Sequence, residues 1–264
     1  MRPWGHTQRR LHLAKKSGES FRKPRLPSNP WGSERMSEKP RILPAGDQAI
    51  LVEFGVEITP TTNRLVQAFT HNANQNRIPG IGELVPSYCT LLIYYDPFLL
   101  SFSQVESWAR NLLGSDLWET KTSSEVKEVP VVYGGPYGPD IEFVARHNQI
   151  TTEEVVQLHA RETYLVYVVG FSAGFAAMGT VPSKIQTPRL QTPRTKVPAG
   201  SVGIGGIQTG IYAVESPGGW QLIGRTPLTL FDLNRHPPAY FQAGDYARFY
   251  PISEAEFLRY QNIE

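Results

Sequence analysis

Short apolar segments separated by glycine-rich turns fill the second half of this 264-residue chain, and they constrain its fold more than any other feature. A β-branched segment at 164–169 reads as a strand, and further strand-like segments follow at 200–206, 210–214, 220–225 and 247–250. Strands this short, at such close spacing, satisfy their backbone groups best in a closed barrel. The pattern therefore predicts a β-barrel domain over residues 127–264.

The first half has a different pattern. Strand-like segments at 41–44, 49–54, 84–86 and 90–95 are interrupted by helical periodicity at 61–74 and 104–113. Thr59 or Thr61 is suited to cap the first helix, and Ser103 is predicted to cap the second. This order predicts a small α+β domain over residues 39–120, with the domain boundary in the polar segment 115–127.

Charge is unevenly distributed along the chain. Residues 1–35 hold nine Lys or Arg and two Glu, whereas the remainder holds 17 basic and 22 acidic residues. Three interpretations of residues 1–35 stay open: a transit peptide, a nucleic-acid-binding arm, or an extension upstream of a functional start at Met36. We favour the third, because a clear strand pattern follows Pro40. All three predict disorder for residues 1–38, and the mildly acidic body argues against nucleic acid as a partner.

A single cysteine, Cys89, lies in an apolar strand-like segment, which predicts a buried structural thiol in a reducing, cytoplasmic compartment. No apolar run approaches the ~20 residues that a membrane-spanning helix needs, so no membrane association is expected. The six histidines show no ligand spacing, and no metal site is predicted. His159, near the end of a predicted helix at 151–161, reads as structural.

Two motifs that are typical of catalysis are weak in this chain. Gly170-Phe171-Ser172-Ala173-Gly174 matches the nucleophile elbow of hydrolases, but the helix that must follow it is cut short, and only Asp232 and His236 remain as partners. The glycine-rich segment 200–210 lacks the Lys that ends a phosphate-binding loop. Its glycines either allow strand crossing in a barrel or expose backbone N–H groups to an anion. No catalytic residue is predicted.

Two Thr-Pro-Arg repeats end at Arg189 and Arg194, and proline stiffens each of them. Two guanidinium groups on rigid loops are suited to bind a carboxylate or a phosphate, although both could also be ordinary surface residues. The turn Ser216-Pro217-Gly218-Gly219-Trp220 allows close approach of a planar ligand, or forms a hairpin corner with Trp220 in the core.

Several of these motifs occur in one characteristic order. They include the loop Gly134-Gly135-Pro136-Tyr137-Gly138-Pro139-Asp140, the spacing Tyr167-x-x-Gly170-Phe171-x-x-Gly174-Phe175, both Thr-Pro-Arg repeats, Val197-Pro198-Ala199-Gly200-Ser201-Val202-Gly203-Ile204, Gln208-Thr209-Gly210-Ile211-Tyr212, and the turn ending at Trp220. In this order they resemble the family of the 5-oxoprolinase B subunit, also called allophanate hydrolase subunit 1 or Kip-type kinase inhibitor. The resemblance extends from about residue 41 to the C-terminus.

The resemblance implies a small α+β domain followed by a cyclophilin-like barrel. It implies a subunit that opens 5-oxoproline to glutamate with ATP and Mg, and that needs a second barrel subunit and a third protein. Alternatives are an inhibitor that binds a sensor histidine kinase, or an allophanate hydrolase or carboxyltransferase-type subunit. The site residues carried over are Gly174, Phe175, Arg189, Arg194, Gln208, Gly218, Gly219 and Trp220.

The chain departs from the family pattern in one loop. Ala173 replaces a proline, Ala177 an aromatic residue and Thr180 a glycine, which predicts a less rigid loop and a less stacked pocket. The expected substrate depends on this loop.

Overall fold

The computed structural model describes residues 40–114 and 126–261. The predictions for residues 1–38 and for most of the segment 115–127 lie outside the described residues. The described residues belong to one compact unit, and the division into two domains stays a prediction.

Four antiparallel strands and two helices form the first part of the described chain. The strands β1 (Arg41–Pro44), β2 (Ala49–Glu53), β3 (Ile81–Pro86) and β4 (Thr90–Tyr95) lie in the order β1-β2-β4-β3. The helices α1 (Pro60–Gln75) and α2 (Phe102–Leu113) pack against this sheet. Alternate side chains of β2 and β4, such as Ile50, Val52, Leu91 and Ile93, join Phe69 and Val105 from the helices in one hydrophobic core.

The helix starts show which capping predictions were right. Thr59 caps α1, because its side chain accepts a hydrogen bond from the backbone of Thr62 at 3.0 Å. The prediction for α2 was wrong: Ser101, not Ser103, is the cap, and Gln104 completes a capping box by reaching back to the backbone of Ser101. Ser103 lies inside the first turn of α2, two residues after the cap.

Seven strands close into the predicted barrel, in the order β10-β7-β6-β13-β5-β12-β9 with β9 paired to β10. The seven are β5 (Val126–Tyr133), β6 (Thr163–Val169), β7 (Ala176–Gly179), β9 (Ser201–Gly205), β10 (Gln208–Ile211), β12 (Gln221–Arg225) and β13 (Tyr246–Pro251). Only β5 and β13 pair in parallel among these neighbours. Strand β10 starts and ends earlier than predicted, and β7 was missed because its four residues carry no β-branched side chain.

The remaining elements surround the barrel. They are α3 (Ile141–His147), α4 (Thr152–Arg161), a 3₁₀ helix (Ser183–Ile185), the two-stranded pair β8 (Arg194–Val197) and β11 (Ser216–Gly218), and α5 (Glu254–Gln261). As predicted, His159 of α4 is structural: it is fully buried between Tyr133 and Thr209, with both ring nitrogens in hydrogen bonds of 2.8 Å.

One amide connects α1 to the barrel. The side chain of Asn63 donates to the carbonyl oxygens of Ser87 and Tyr88 at 3.1 Å and of Tyr167 in β6 at 3.2 Å. Nearby, the free thiol of Cys89 is buried and donates to the carbonyl of Glu57, and burial raises its pKa. The prediction of a structural thiol is confirmed.

Candidate functional site

The outer face of β7, β10 and β9 carries almost no side chains. Strand residues alternate between faces, and the inner set, including Met178, Thr209 and Ile204, fills the barrel. The outer set is Ala177, Gly179, Ser201, Gly203, Gly205, Gln208 and Gly210. The result is a flat, glycine-lined surface with the side chain of Gln208 in its middle.

Trp220 covers one side of this surface. A Cβ atom at Gly205 would lie 2.7 Å from the indole ring, and one at Gly210 would lie 3.0 Å from it, so both positions require glycine. The ring of Phe175 meets the indole edge-on at 5.4 Å, and Tyr212 meets Phe175 in the same way at 5.0 Å. Trp220 therefore belongs both to a small aromatic core and to the wall of the glycine surface.

Tyr167 covers the opposite side. A Cβ at Gly179 would lie 3.3 Å from its ring, and Tyr88 from the loop before β4 packs against it at 6.0 Å. Tyr167 is fully buried, and its hydroxyl forms no hydrogen bond with described residues. Burial raises its pKa, while the nearby Thr180 side chain and the charge of Arg64 oppose that rise. Burial keeps the phenol protonated at neutral pH, with the Thr180 side chain beside it.

Gln208 lies between these two aromatic walls. Its backbone pairs with Gly179 on one side and with Gly205 on the other. The side chain is only 6% exposed, and its Nε2 has no partner among described residues. If the side-chain amide is turned by 180°, its oxygen takes the place of Nε2 and is equally without a partner. A buried amide group without a partner costs about 1–3 kcal/mol, which a ligand with complementary groups would recover.

The two predicted arginines lie on the Trp220 side and have different partners. Arg189 places its guanidinium 5.5 Å from the centre of the indole ring and is otherwise exposed. Its loop is held by two bonds, from Gln221 to the carbonyl of Pro188 and from the backbone of Leu190 to Gly219. A cation held over an aromatic face, with no ion pair among described residues, is available to a ligand anion.

Arg194 is already paired. One guanidinium nitrogen donates to both carboxylate oxygens of Asp140, at 2.7 and 2.8 Å, and the other donates to the carbonyl of Trp220 at 3.3 Å. Asp140 also accepts from the backbone of Leu222. The anion-binding role of Arg194 stays a prediction, but its charge is neutralised here, and the observed contacts position Trp220.

Both arginines lie near the hydroxyl of Tyr212. Burial raises the pKa of Tyr212, and the charges of Arg189 and Arg194 partly offset that rise. The structure therefore brings the two guanidinium groups to one side of the barrel, as the proline-framed repeats suggested.

The predicted glycines have packing roles. A side chain at Gly218 would overlap the Tyr212 ring, and one at Gly174 would meet Phe231 at 3.0 Å. Gly219 contributes the carbonyl that holds the Arg189 loop. Contacts of the predicted residues with a ligand stay predictions. The oxygen of Ser172 is buried and has no hydrogen-bond partner among described residues, so no neighbouring base activates it.

The sequence patterns did not identify Tyr167 or Asp140 as contributors to the site. Asp140 was visible only as the end of a loop motif, and its partner is 54 residues away. Because strand residues alternate between faces, the sequence pattern at Gln208 and Gly210 was enough to predict that both lie on the outer face of the barrel.

Within 40–114 and 126–261, no group of three or more His, Cys, Asp or Glu is arranged to hold a metal ion. The same residues contain no helix that is long and apolar enough to span a membrane.

Comparison with known proteins gives a consistent result. The family described as "Carboxyltransferase domain, subdomain C and D" matches residues 40–241. The chain is 37% identical over 236 residues to the 5-oxoprolinase B subunit of Bacillus subtilis, covering 86% of this chain and 98% of that protein. It is 39% identical over 208 residues to the 5-oxoprolinase B subunit of Haemophilus influenzae, covering 79% of this chain and 96% of that protein.

A solved structure shares the fold. The urea carboxylase of Kluyveromyces lactis superposes with a TM-score of 0.71 at 22% identity, over 89% of this chain. This chain spans only 23% of that much longer protein.

Proposed function

Because this chain belongs to the carboxyltransferase subdomain C and D family, together with the 5-oxoprolinase B subunits, we propose that it is a subunit of an ATP-dependent 5-oxoprolinase. The reaction would convert 5-oxo-L-proline, ATP and water to L-glutamate, ADP and phosphate. The barrel would be of the cyclophilin-like kind, and activity would require a second barrel subunit and a third subunit. One observation carries the proposal: the buried, unpaired amide of Gln208 between two aromatic walls on a glycine surface.

The chemistry of this surface suits a small lactam. A five-membered lactam is nearly flat and presents one N–H donor and one C=O acceptor, and the side-chain amide of Gln208 offers the complementary pair. Glycines at 179, 205 and 210 let the rings of Tyr167 and Trp220 pack directly on the backbone, which places an aromatic wall on each side of Gln208. The cation of Arg189 lies over Trp220 and would attract the substrate carboxylate.

The nucleotide fits the described residues less well. They contain no phosphate-binding loop and no acidic cluster for the Mg that accompanies ATP. We therefore assign ATP binding to the partner subunits. Since the described site also lacks a general base next to Gln208, this chain would bind and orient the lactam while a partner completes the catalytic centre.

ATP has a clear chemical purpose here, because a lactam carbonyl is a poor electrophile. Transfer of the γ-phosphoryl group to the lactam oxygen would release ADP. Water would then add to that carbon, and the carbon–nitrogen bond would break as the nitrogen takes up a proton, which leaves an acyl phosphate. A second water would hydrolyse the acyl phosphate to glutamate and phosphate. This chain's contribution would be to exclude water from the glycine surface and to fix the lactam plane.

Reconstitution tests the proposal. The chain is mixed with candidate partner subunits, and ATP-dependent release of glutamate from 5-oxoproline is measured. Gln208→Leu keeps the size of the side chain and removes the amide, so we expect kcat/KM to fall at least tenfold, as the loss of ~1.4 kcal/mol implies. Gln157→Leu, on the exposed face of α4, is the matched control. Full activity of Gln208→Leu would remove the basis of the assignment.

The kinase-inhibitor and allophanate hydrolase or carboxyltransferase-type alternatives stay predictions. The urea carboxylase likeness shows the fold alone.

A further inference from the structure

We propose that a cavity beside the end of β12 is a second ligand site, and that it takes a small monocarboxylate with an apolar body. The cavity has a volume of about 590 Å³, which falls within the range of small-molecule sites, roughly 300–1,000 Å³. None of its lining residues belongs to the glycine surface around Gln208. The inference therefore goes beyond the proposed lactam site and does not depend on it.

The walls of this cavity are fixed by contacts with the rest of the chain. The loop after β12 is tied to its own continuation by Arg235, which donates to the carbonyl oxygens of Thr229 and Leu230 at 3.1 Å. Another wall is Phe257 of α5, which is 2% exposed and packs against Tyr137 with the ring centres 4.9 Å apart. A cavity with fixed walls needs little ordering when a ligand binds.

Arg225 supplies a fixed positive charge to the cavity lining. Its Nε donates to the carbonyl of Ala199 at 2.8 Å, and this bond holds the side chain against the loop before β9. That loop is itself held, because the backbone of Gly200 bonds to Tyr212 and Thr226 at 2.7 and 2.9 Å. The two terminal guanidinium nitrogens form no hydrogen bond or ion pair with described residues. They are therefore available to both oxygens of a carboxylate.

The acidic residues around the cavity have other partners. Glu215, which also lines it, pairs with Lys196 at 3.0 Å, and both of these side chains are more than half exposed. Glu254, in the first turn of α5, accepts from the Tyr137 hydroxyl at 3.1 Å. Neither carboxylate forms an ion pair with Arg225 in the part of the chain that the structure describes. The cavity therefore favours an anion over a cation.

The rest of the lining favours a hydrocarbon group next to the carboxylate. Most of the remaining side chains are apolar, and they include Ala213, Val214, Pro227, Leu228, Leu230 and Phe231. Burying apolar surface of a ligand against them is worth about 25 cal/mol per Å². Phosphate or a dicarboxylate would instead place a further charge against these side chains, which is unfavourable. The lining thus distinguishes a monocarboxylate with an apolar body from more highly charged anions.

Binding of two matched probes to the full chain tests the site. 4-Phenylbutyrate and 4-phenylbutyramide share one apolar body, and only the first carries a charge. Calorimetry measures the affinities, and backbone amide NMR shifts show where the probes bind. We expect the acid to bind at least tenfold more tightly than the amide and to shift the signals of Arg225 and Leu228, not that of Gln208. Arg225→Gln should weaken binding of the acid at least tenfold and leave binding of the amide unchanged.

Arg259→Gln, at an exposed position in the same helix as Phe257, is the matched control and should bind the acid as wild type does. Leu228→Glu places a carboxylate in the cavity, where it would pair with Arg225, so it should abolish binding of the acid. This variant gives the answer should Arg225→Gln fail to fold.

Three results would overturn the proposal. The first is that wild type does not bind the acid at millimolar concentration. The second is that folded Arg225→Gln or Leu228→Glu binds the acid as tightly as wild type does. The third is that the acid shifts signals around Gln208 and leaves those of Arg225 and Leu228 unchanged.

Discussion

His159 gives the chain a specific sensitivity to acid. Its Nδ1 lies 2.8 Å from the Tyr133 hydroxyl, and its Nε2 lies 2.8 Å from Oγ1 of Thr209. Thr209 donates its own proton to the carbonyl of Gly203, so it accepts from Nε2–H, and Tyr133 donates to Nδ1. The imidazole ring is therefore neutral, with its proton fixed on Nε2. The centre of the ring lies 4.5 Å from the centre of the Phe249 ring.

The size of the effect follows from the pKa. Burial lowers the pKa of His159 from 6.5 to about 3, whereas in the unfolded chain it returns to its ordinary value. The unfolded state therefore binds a proton that the folded state does not, and stability is lost as pH falls below about 6.5. By linkage the loss reaches about 2 kcal/mol at pH 5.

Denaturant unfolding measured at pH 7.5 and at pH 5 tests this magnitude. Exposed carboxylates with lowered pKa, such as those of Glu153 and Glu256, also lose stabilisation with acid, but they do so equally in every variant. His159→Asn should be less stable at pH 7.5, yet lose about 2 kcal/mol less than wild type between the two pH values. His147→Asn, at an exposed position of α3, should lose as much as wild type.

The reasoning is refuted if wild type and His159→Asn lose the same stability between pH 7.5 and pH 5. A second measurement does not depend on the variant. The ¹⁵N chemical shifts of the His159 ring at pH 5 should be those of the neutral Nε2–H tautomer, and shifts of an imidazolium would contradict the burial argument.

Two further predictions concern the Trp220 side of the site. Arg194→Ala should lower the free energy of unfolding by about 1–3 kcal/mol, because the partly buried carboxylate of Asp140 loses the guanidinium that pairs with it. A loss of ligand binding with unchanged stability would show instead that Arg194 contacts the ligand. Gly205→Ala should displace the Trp220 indole, because the added Cβ atom would lie 2.7 Å from the ring. The near-ultraviolet circular dichroism should then change, and lactam binding should weaken. Gly170→Ala is the control: its Cβ atom would meet only Val168 at 4.0 Å, so neither the spectrum nor lactam binding should change.

Local patterns were sufficient for the parts of this protein that depend on near neighbours in the chain. Turn spacing predicted a closed barrel, and the helix predicted at 151–161 is α4, which starts with a capping box of Thr151 and Glu154. The cap of α2 was misplaced by two residues, because Ser101 and Ser103 are both plausible caps until the backbone shows which one has extended geometry. Strand β7 was missed since a run of Ala, Met and Gly has low strand propensity and becomes a strand only between two neighbours.

Motif order and turn chemistry were enough to predict the family, the barrel and the rigid loops around Arg189 and Arg194, because these are local properties of the chain. Which polar groups lack partners could be known only from the fold. Asp140 neutralises Arg194 across 54 residues, and Asn63 brings α1 against a strand that lies 104 residues away. Pairing of charges and hydrogen bonds depends on distances in space. For that reason, the unpaired amide of Gln208 becomes visible only in the folded chain.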